Sequence, residues 1–188
     1  MQYIRQRGVW KLSTWRTALA ISGKSPISVM WTDTNKGDTE KPNVRSRLVC
    51  KEFRAKFMEA VFAGTPPIEA LRVILRVAAA HAEDKGPYGL MCIDVRRAHF
   101  YAKAIRRVFV RLPEEDPASE NKDACGELLI SMYGTQDAAA NWEASYTATM
   151  KAMGFKQGKA SPCHFVKPAG ALPTMVHGDD FFVTGTKI

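Results

Sequence analysis

Between Thr65 and His81, apolar residues recur at three- and four-residue spacing, with Ile68, Leu71, Ile74, Leu75 and Ala78 on one stripe and Arg72 and Arg76 on another. That period predicts an amphipathic helix. Thr65 can cap it, Pro66 suits its first turn, and Glu69 lies at the positive end of its dipole. A second helix is predicted after Gly134, with Ala138, Trp142, Tyr146, Met150 and Met153 on one stripe and Gly154 placed to end it. Residues 90–95, 108–112 and 127–131 are short runs rich in β-formers, while 86–89 and 113–126 read as loops. Two further β-like runs, 174–177 and 181–184, are separated by Gly178, Asp179 and Asp180, and a tight hairpin there carries adjacent carboxylates at its tip. Helices and strands mix without a regular βαβ repeat, which predicts an α+β fold rather than a doubly wound parallel sheet. No internal repeat or low-complexity linker marks a domain boundary.

Composition narrows the class. The 188 residues are 46% apolar, enough for one domain with a sizeable core, which excludes a disordered tail or a disulfide-stapled miniprotein. Twenty-seven Lys and Arg against nineteen Asp and Glu leave a net charge of +8, which suits a polyanionic partner if the positive charge is clustered. The four cysteines, Cys50, Cys92, Cys125 and Cys163, form no C-x-x-C pair and have no His at zinc-ligand spacing. They read as buried free thiols in a reducing compartment. No apolar run approaches the roughly 18 residues of a membrane span. The first 32 residues are basic and contain no acid, yet Trp10, Trp15 and Trp31 and the lack of a long apolar core favour a folded segment over a targeting peptide.

Asp179 and Asp180 are the first chemical signal, because two like charges at a turn between apolar strands repel unless a cation joins them. A catalytic metal site needs a third carboxylate from another strand. Asp94 suits that role, since it ends the apolar run 90–93. Two Mg²⁺ ions held by such a trio could activate an attacking 3′-hydroxyl and stabilise leaving pyrophosphate. Taken singly, each Asp also reads as an ordinary turn residue or strand end.

Order and context add to this. Cys92-Ile93-Asp94-Val95-Arg96-Arg97-Ala98-His99-Phe100, then Ser131-Met132-Tyr133-Gly134 with Trp142 beyond it, then Val176-His177-Gly178-Asp179-Asp180-Phe181 resemble motifs A, B and C of a copia-type reverse transcriptase of long-terminal-repeat retrotransposons. Arg45-Ser46-Arg47-Leu48-Val49-Cys50-Lys51 resembles the family's K-A-R-L-V-A-K segment, and residues 108–115 and 154–163 resemble the stretches that flank its motifs. The resemblance covers roughly residues 9–188.

It implies an antiparallel palm sheet packed on helices, with fingers and lead-in over about 1–85, palm over about 86–188, and a chain that stops after motif C without a thumb. It implies an RNA-directed DNA polymerase using deoxynucleoside triphosphates on a primed RNA or DNA template. Asp94, Asp179 and Asp180, with the Val95 carbonyl, would hold two Mg²⁺ ions, Mn²⁺ being the alternative. Arg47, Lys51, Arg97, His99 and Gly134 would meet the incoming nucleotide, and Arg45, Arg54, Arg106 and Arg107 the nucleic-acid backbone. The family setting is a longer polyprotein with integrase and ribonuclease H, in a cytoplasmic particle or the nucleus, with no membrane partner. The rival reading is a nucleic-acid-binding remnant that no longer polymerises.

Five positions depart from the family pattern. His177 and Gly178 replace the Tyr and Val of Y-V-D-D, and His99 replaces the aromatic ring that excludes a 2′-hydroxyl. In motif B, Asp137 and Ala139 stand where the family has Gln and Pro. A carboxylate there is electrostatically unhelpful beside a triphosphate unless it is paired or turned away.

Overall fold

The computed structural model describes residues 1–53, 63–80, 88–168 and 172–186. Arg54, expected on nucleic acid, and the last residue of the first predicted helix, His81, lie outside them. In chain order the elements begin with α1 (Gln2–Arg7), β1 (Trp10–Thr14), α2 (Trp15–Ser22), β2 (Val29–Asn35) and β3 (Val44–Cys50). There follow α3 (Ile68–Ala80), β4 (Tyr88–Asp94), β5 (Phe109–Val110), β6 (Ala124–Leu128) and α4 (Ala138–Ala152). The chain continues through β7 (Lys156–Gln157), β8 (His164–Lys167), β9 (Leu172–His177) and β10 (Asp180–Thr186). Helices and antiparallel sheets together make the α+β class predicted from the sequence. No helix among the described residues is long and apolar enough to cross a membrane.

These elements form two compact units, each built from two stretches of chain. The first comprises Met1–Val61 and His99–Asn141. It holds a three-stranded sheet in the order β1-β6-β5 and the separate β2-β3 ribbon. Thr14 caps α2 by accepting a hydrogen bond from the Thr17 N–H (3.1 Å), and Ala18 of that helix packs fully buried with Phe109 and Cys125. The larger core of this unit gathers Ile4, Val9, Leu48, Cys50, Phe100, Val108, Val110, Leu128 and Met132. In β3 only the C-terminal half reaches that core, through Leu48 and Cys50, while residues 44–47 are exposed. The strand predicted at 127–131 lies three residues earlier. The N–H groups of Leu129 and Ile130 both bond to the Val9 carbonyl (2.9 and 3.2 Å), which breaks the ladder with β1 after Leu128.

The second unit comprises Phe62–Ala98 and Trp142–Ile188. Its five-stranded sheet runs β4-β10-β9-β8-β7, antiparallel throughout. Neighbouring residues of a strand point to opposite faces, and β10 uses both. Phe182 packs with Ala70, Leu71 and Ile74 of α3 and with Met175. Phe181 meets the rings of Trp142 and Tyr146 of α4, with centroids 6.4 and 5.6 Å away. The α4 stripe holds for Ala138, Trp142, Tyr146 and Met150, which are buried, but Met153 lies beyond the helix and is exposed. The α3 stripe turns out rotated: Ala70 and Ile74 are buried, whereas Ile68 and Leu75 are exposed, because the helix meets the sheet through the Ala70 side.

A paired-carboxylate hairpin as the candidate active site

β9 and β10 are joined by two residues, Gly178 and Asp179, since His177 pairs directly with Asp180. Gly178 takes φ 65°, the sign that a two-residue loop matching the strand twist requires at its first position. A Cβ there would meet nothing within 4 Å, so the glycine serves the backbone and not the space around it. The Trp142 indole N–H donates to the Gly178 carbonyl (2.8 Å) and holds the loop from α4. The sequence placed both carboxylates at the hairpin tip; Asp179 is in the loop, and Asp180 is the first residue of β10.

The other side of β10 pairs with β4, and the register sets Asp180 opposite Asp94. The Val95 N–H donates to the Asp179 carbonyl (2.9 Å), one residue beyond this pair on each strand. Asp94 and Asp180 are therefore a non-hydrogen-bonded pair, the kind in which Cα atoms approach to about 4.5 Å and side chains on the shared face come closest. Both residues are exposed, as is Asp179, and none of the three has an ion pair among the described residues. Two hard oxygen donors facing each other suit a cation such as Mg²⁺. Among the described residues, however, no group of three or more His, Cys, Asp and Glu is gathered as a ligand set, so the register supplies a facing pair and leaves Asp179 beside it in the loop.

The remaining candidate residues fall as follows. Arg97, in the second unit, is exposed and has φ 61°, the one positive φ outside glycine among the described residues. In the first unit, Arg45 and Arg47 lie on the exposed half of β3, opposite Thr34 and Thr32 of β2. Lys51 follows that strand, its N–H bonded to the Ser28 carbonyl (2.8 Å) and its side chain exposed. Gly134 has φ 82°, and a Cβ on it would sit 2.0 Å from the Cys50 carbonyl oxygen. The Cys50 N–H donates to the Tyr133 carbonyl (2.7 Å), so strand β3 and the 131–137 turn lie backbone to backbone. His99 packs edge-on against the Tyr133 ring at 4.6 Å.

Residues 12–188 match the family model described as Reverse transcriptase (RNA-dependent DNA polymerase). The chain belongs to the reverse transcriptase family. It is also 22% identical over 193 residues to the Retrovirus-related Pol polyprotein from transposon TNT 1-94 of Nicotiana tabacum. That alignment covers 98% of this chain and 14% of the polyprotein. Both findings agree with the copia-type likeness of motifs A, B and C.

Within this family member the unusual motif B carboxylate has a partner. Arg106 donates to both oxygens of Glu52 (3.0 and 2.9 Å) and to Asp137 (2.8 Å), whose other oxygen accepts from Asn141 (3.1 Å). Glu52 in turn accepts from the Gln136 N–H (2.8 Å). Burial pushes the Asp137 carboxyl up, but hydrogen bonds and attraction from Arg106 and a bond from Asn141 more than offset it, leaving it below the usual carboxylate range. Bonds to Asp137 and Glu52 hold the Arg106 guanidinium more firmly protonated than usual. Arg107 likewise donates to both oxygens of Glu127 (2.7 and 3.0 Å), an acid that also pairs with Lys11. Arg106 and Arg107, expected on nucleic acid, are thus each paired with acids of this unit, Arg107 with its side chain still 53% exposed. Sequence spacing carried no sign of this network beyond the oddity of Asp137.

The thiols also divide. Cys50, Cys125 and Cys163 are buried and free, whereas Cys92, expected buried with them, is exposed on β4. Burial, then the Glu52 charge, pushes the Cys50 thiol up to about 12, so it is inert as a nucleophile at neutral pH.

Proposed function

We propose that this chain acts as an RNA-directed DNA polymerase domain, joining a deoxynucleotide to a primer 3′-hydroxyl on an RNA or DNA template. The cross-strand pair Asp94 and Asp180 supports the reading most, because it sets two unpaired, exposed carboxylates side by side at a strand end. Asp94, Asp180 and Asp179, with the Val95 carbonyl, would hold two Mg²⁺ or Mn²⁺ ions. When bound, such ions lower the pKa of the attacking hydroxyl and neutralise charge on the leaving pyrophosphate.

The chain's own residues have separate tasks in this proposal. The β4-β10 ladder fixes the facing carboxylates, and the Trp142 bond to Gly178 keeps the loop from swinging away. Arg47, Lys51 and Arg97 would donate to triphosphate oxygens, for which a guanidinium's planar fork is suited. Gly134, without a Cβ, would let its backbone approach the new base pair, and His99 would face the sugar. Arg45 and Arg54 would follow the nucleic-acid backbone. Fingers, palm and an origin in a polyprotein bearing integrase and ribonuclease H belong to the same proposal.

Primer extension on a primed RNA template tests it, with Asp94→Asn and Asp180→Asn as variants whose circular dichroism matches wild type. We expect extension by wild type and a loss of about a hundredfold or more in each variant, as when a preorganised charge at a reacting centre is removed. Equal rates in all three proteins would remove these carboxylates from the reaction.

A further inference from the structure

Side chains join the end of β3 to the 131–137 turn as closely as the backbone does. The backbone contributes the Cys50 N–H bond to the Tyr133 carbonyl and the close approach of Gly134 to the Cys50 carbonyl. Just beyond, the Gln136 N–H donates to Glu52 (2.8 Å) and the Gln136 side-chain amide to the Phe53 carbonyl (3.2 Å). Arg106 closes the junction from a third segment. Its Nη2 donates to Glu52 Oε2 at 2.9 Å and to Asp137 Oδ1 at 2.8 Å, so one nitrogen bridges an acid from each side. The segment that carries Arg106 is itself anchored: the Ala104 N–H donates to the Leu129 carbonyl (3.0 Å), and the Ser131 hydroxyl to the Lys103 carbonyl (3.2 Å). Asn141 donates to that hydroxyl (3.0 Å) and to Asp137. The Glu52 and Asp137 side chains are only 14% and 10% exposed. Ion pairs this buried add little stability beyond what apolar packing of the same volume would give, and their best-attested use is to fix register.

We propose that Arg106 is a positioning residue for the incoming nucleotide, locking β3 to the 131–137 turn so that the groups on each keep one spacing. This role rests on the nucleotide contacts proposed above for Arg47 and Lys51, on β3 and just past its end, and for Gly134, in the turn. One nucleoside triphosphate would meet both sides, its phosphates at the two cations and its base pair at the glycine backbone. Binding then depends on the distance between elements that are far apart in sequence, and Arg106 bonds to both of them. Without the guanidinium, Glu52 and Asp137 become like charges brought close together, and the junction is pushed apart where it was held. The lock also needs arginine. Its planar fork serves both oxygens of Glu52 and one of Asp137 at once, whereas a lysine ammonium is a compact point charge on a flexible stem.

Two variants, Arg106→Gln and Arg106→Lys, test the lock by two readouts. Hydrogen exchange read by mass spectrometry needs no nucleotide: segments 47–53 and 131–137 should both exchange about tenfold faster in each variant, while β10 keeps the wild-type rate. In primer extension the KM for the nucleotide should rise about tenfold or more, with kcat at saturation within about twofold of wild type, because the β4-β10 carboxylates are untouched. Arg106→Lys guards against a glutamine variant too unstable to fold, since it keeps a positive charge between the two acids. An unchanged KM, loosening of only one of the two segments, or kcat falling along with a loss of protection in both units would each overturn the proposal. A wild-type chain that extends no primer defeats the polymerase reading and this role with it, and is told apart from those outcomes because wild type itself is then inactive.

Discussion

Asp94 and Asp180 stand opposite each other on adjacent strands, and their repulsion in the absence of metal sets up a measurable crossing. In metal-free buffer Asp180→Asn should raise Tm by about 1–3 °C, since like charges directly opposite destabilise a sheet. At a hundredfold excess of Mg²⁺ over its Kd, wild type should gain about 2.7 kcal/mol by linkage and the variant little, so the order of stability reverses. Thermal unfolding across a Mg²⁺ titration reads both halves, and parallel curves would argue against a cation at this pair. Arg106 permits a test with a definite sign. The folded Asp137 carboxyl lies below its unfolded value, so its contribution is present above the ordinary carboxylate range and is lost as pH falls through the folded value. In Arg106→Gln the largest influence on Asp137, burial, acts without the guanidinium, and its pKa should rise. The variant should then be weakest at neutral pH, by about 2 kcal/mol, and recover toward wild type as the pH falls to about 4. Denaturant unfolding at both pH values decides it; a penalty that does not change with pH would mean the network is packing alone. The two sites also differ in how readable they were. Gly178, Asp179 and Asp180 sit together between apolar runs, so the hairpin was legible as a local pattern. Arg106 reaches partners 54 and 31 residues away in sequence, and no local pattern encodes such a pairing.

Turns and strands show the same division one level up. The tail hairpin was readable because Gly178 announces the turn and short apolar runs flank it, and β4 was readable as an apolar run ending in Asp94. β1 and the shift in β6 were not, since these strands are defined by partners far along the chain: Trp10 pairs with Leu128, and Val9 captures the N–H groups that end β6. The α3 period predicted a helix correctly but not which side the sheet would take, because Ile68, Leu71, Ile74 and Leu75 form a stripe wide enough to dock at more than one angle. Two glycines separate backbone demand from steric demand. Gly178→Ala should cost about 1 kcal/mol, the penalty of a left-handed φ, because nothing lies near the new methyl. Gly134→Ala adds a clash with the Cys50 carbonyl at 2.0 Å, and a backbone atom held in a strand cannot step aside. About 3 kcal/mol or more is expected there. Urea unfolding of the pair tests this ordering, and equal losses would mean that the 131–137 turn moves away from β3 at little cost.

For the molecule as a whole, the twenty-seven Lys and Arg overstate the unpaired cations a polyanion would meet. Arg106, Arg107 and Lys11 are balanced by Glu52, Asp137 and Glu127, so a phosphate meets their charge already compensated. Arg45 and Arg47, by contrast, stand on the exposed end of the β2-β3 ribbon without an ion pair among the described residues. The proposed polymerase should therefore bind nucleic acid through a small, identifiable part of its basic charge. Each phosphate contact contributes about 0.9 to the slope of log K against log salt on duplex and about 0.7 on single strands. Replacing Arg45 and Arg47 together by Ala should then flatten that slope by about 1.4–1.8, while Arg107→Ala should leave it nearly unchanged, because Arg107 is already bound to Glu127. Fluorescence anisotropy of a labelled primer-template across a KCl series measures both. If Arg107→Ala flattened the slope as much as the loss of Arg45 and Arg47, the internal pairing seen in this fold would not survive contact with nucleic acid, and the basic surface would have to be redrawn from all of its cations.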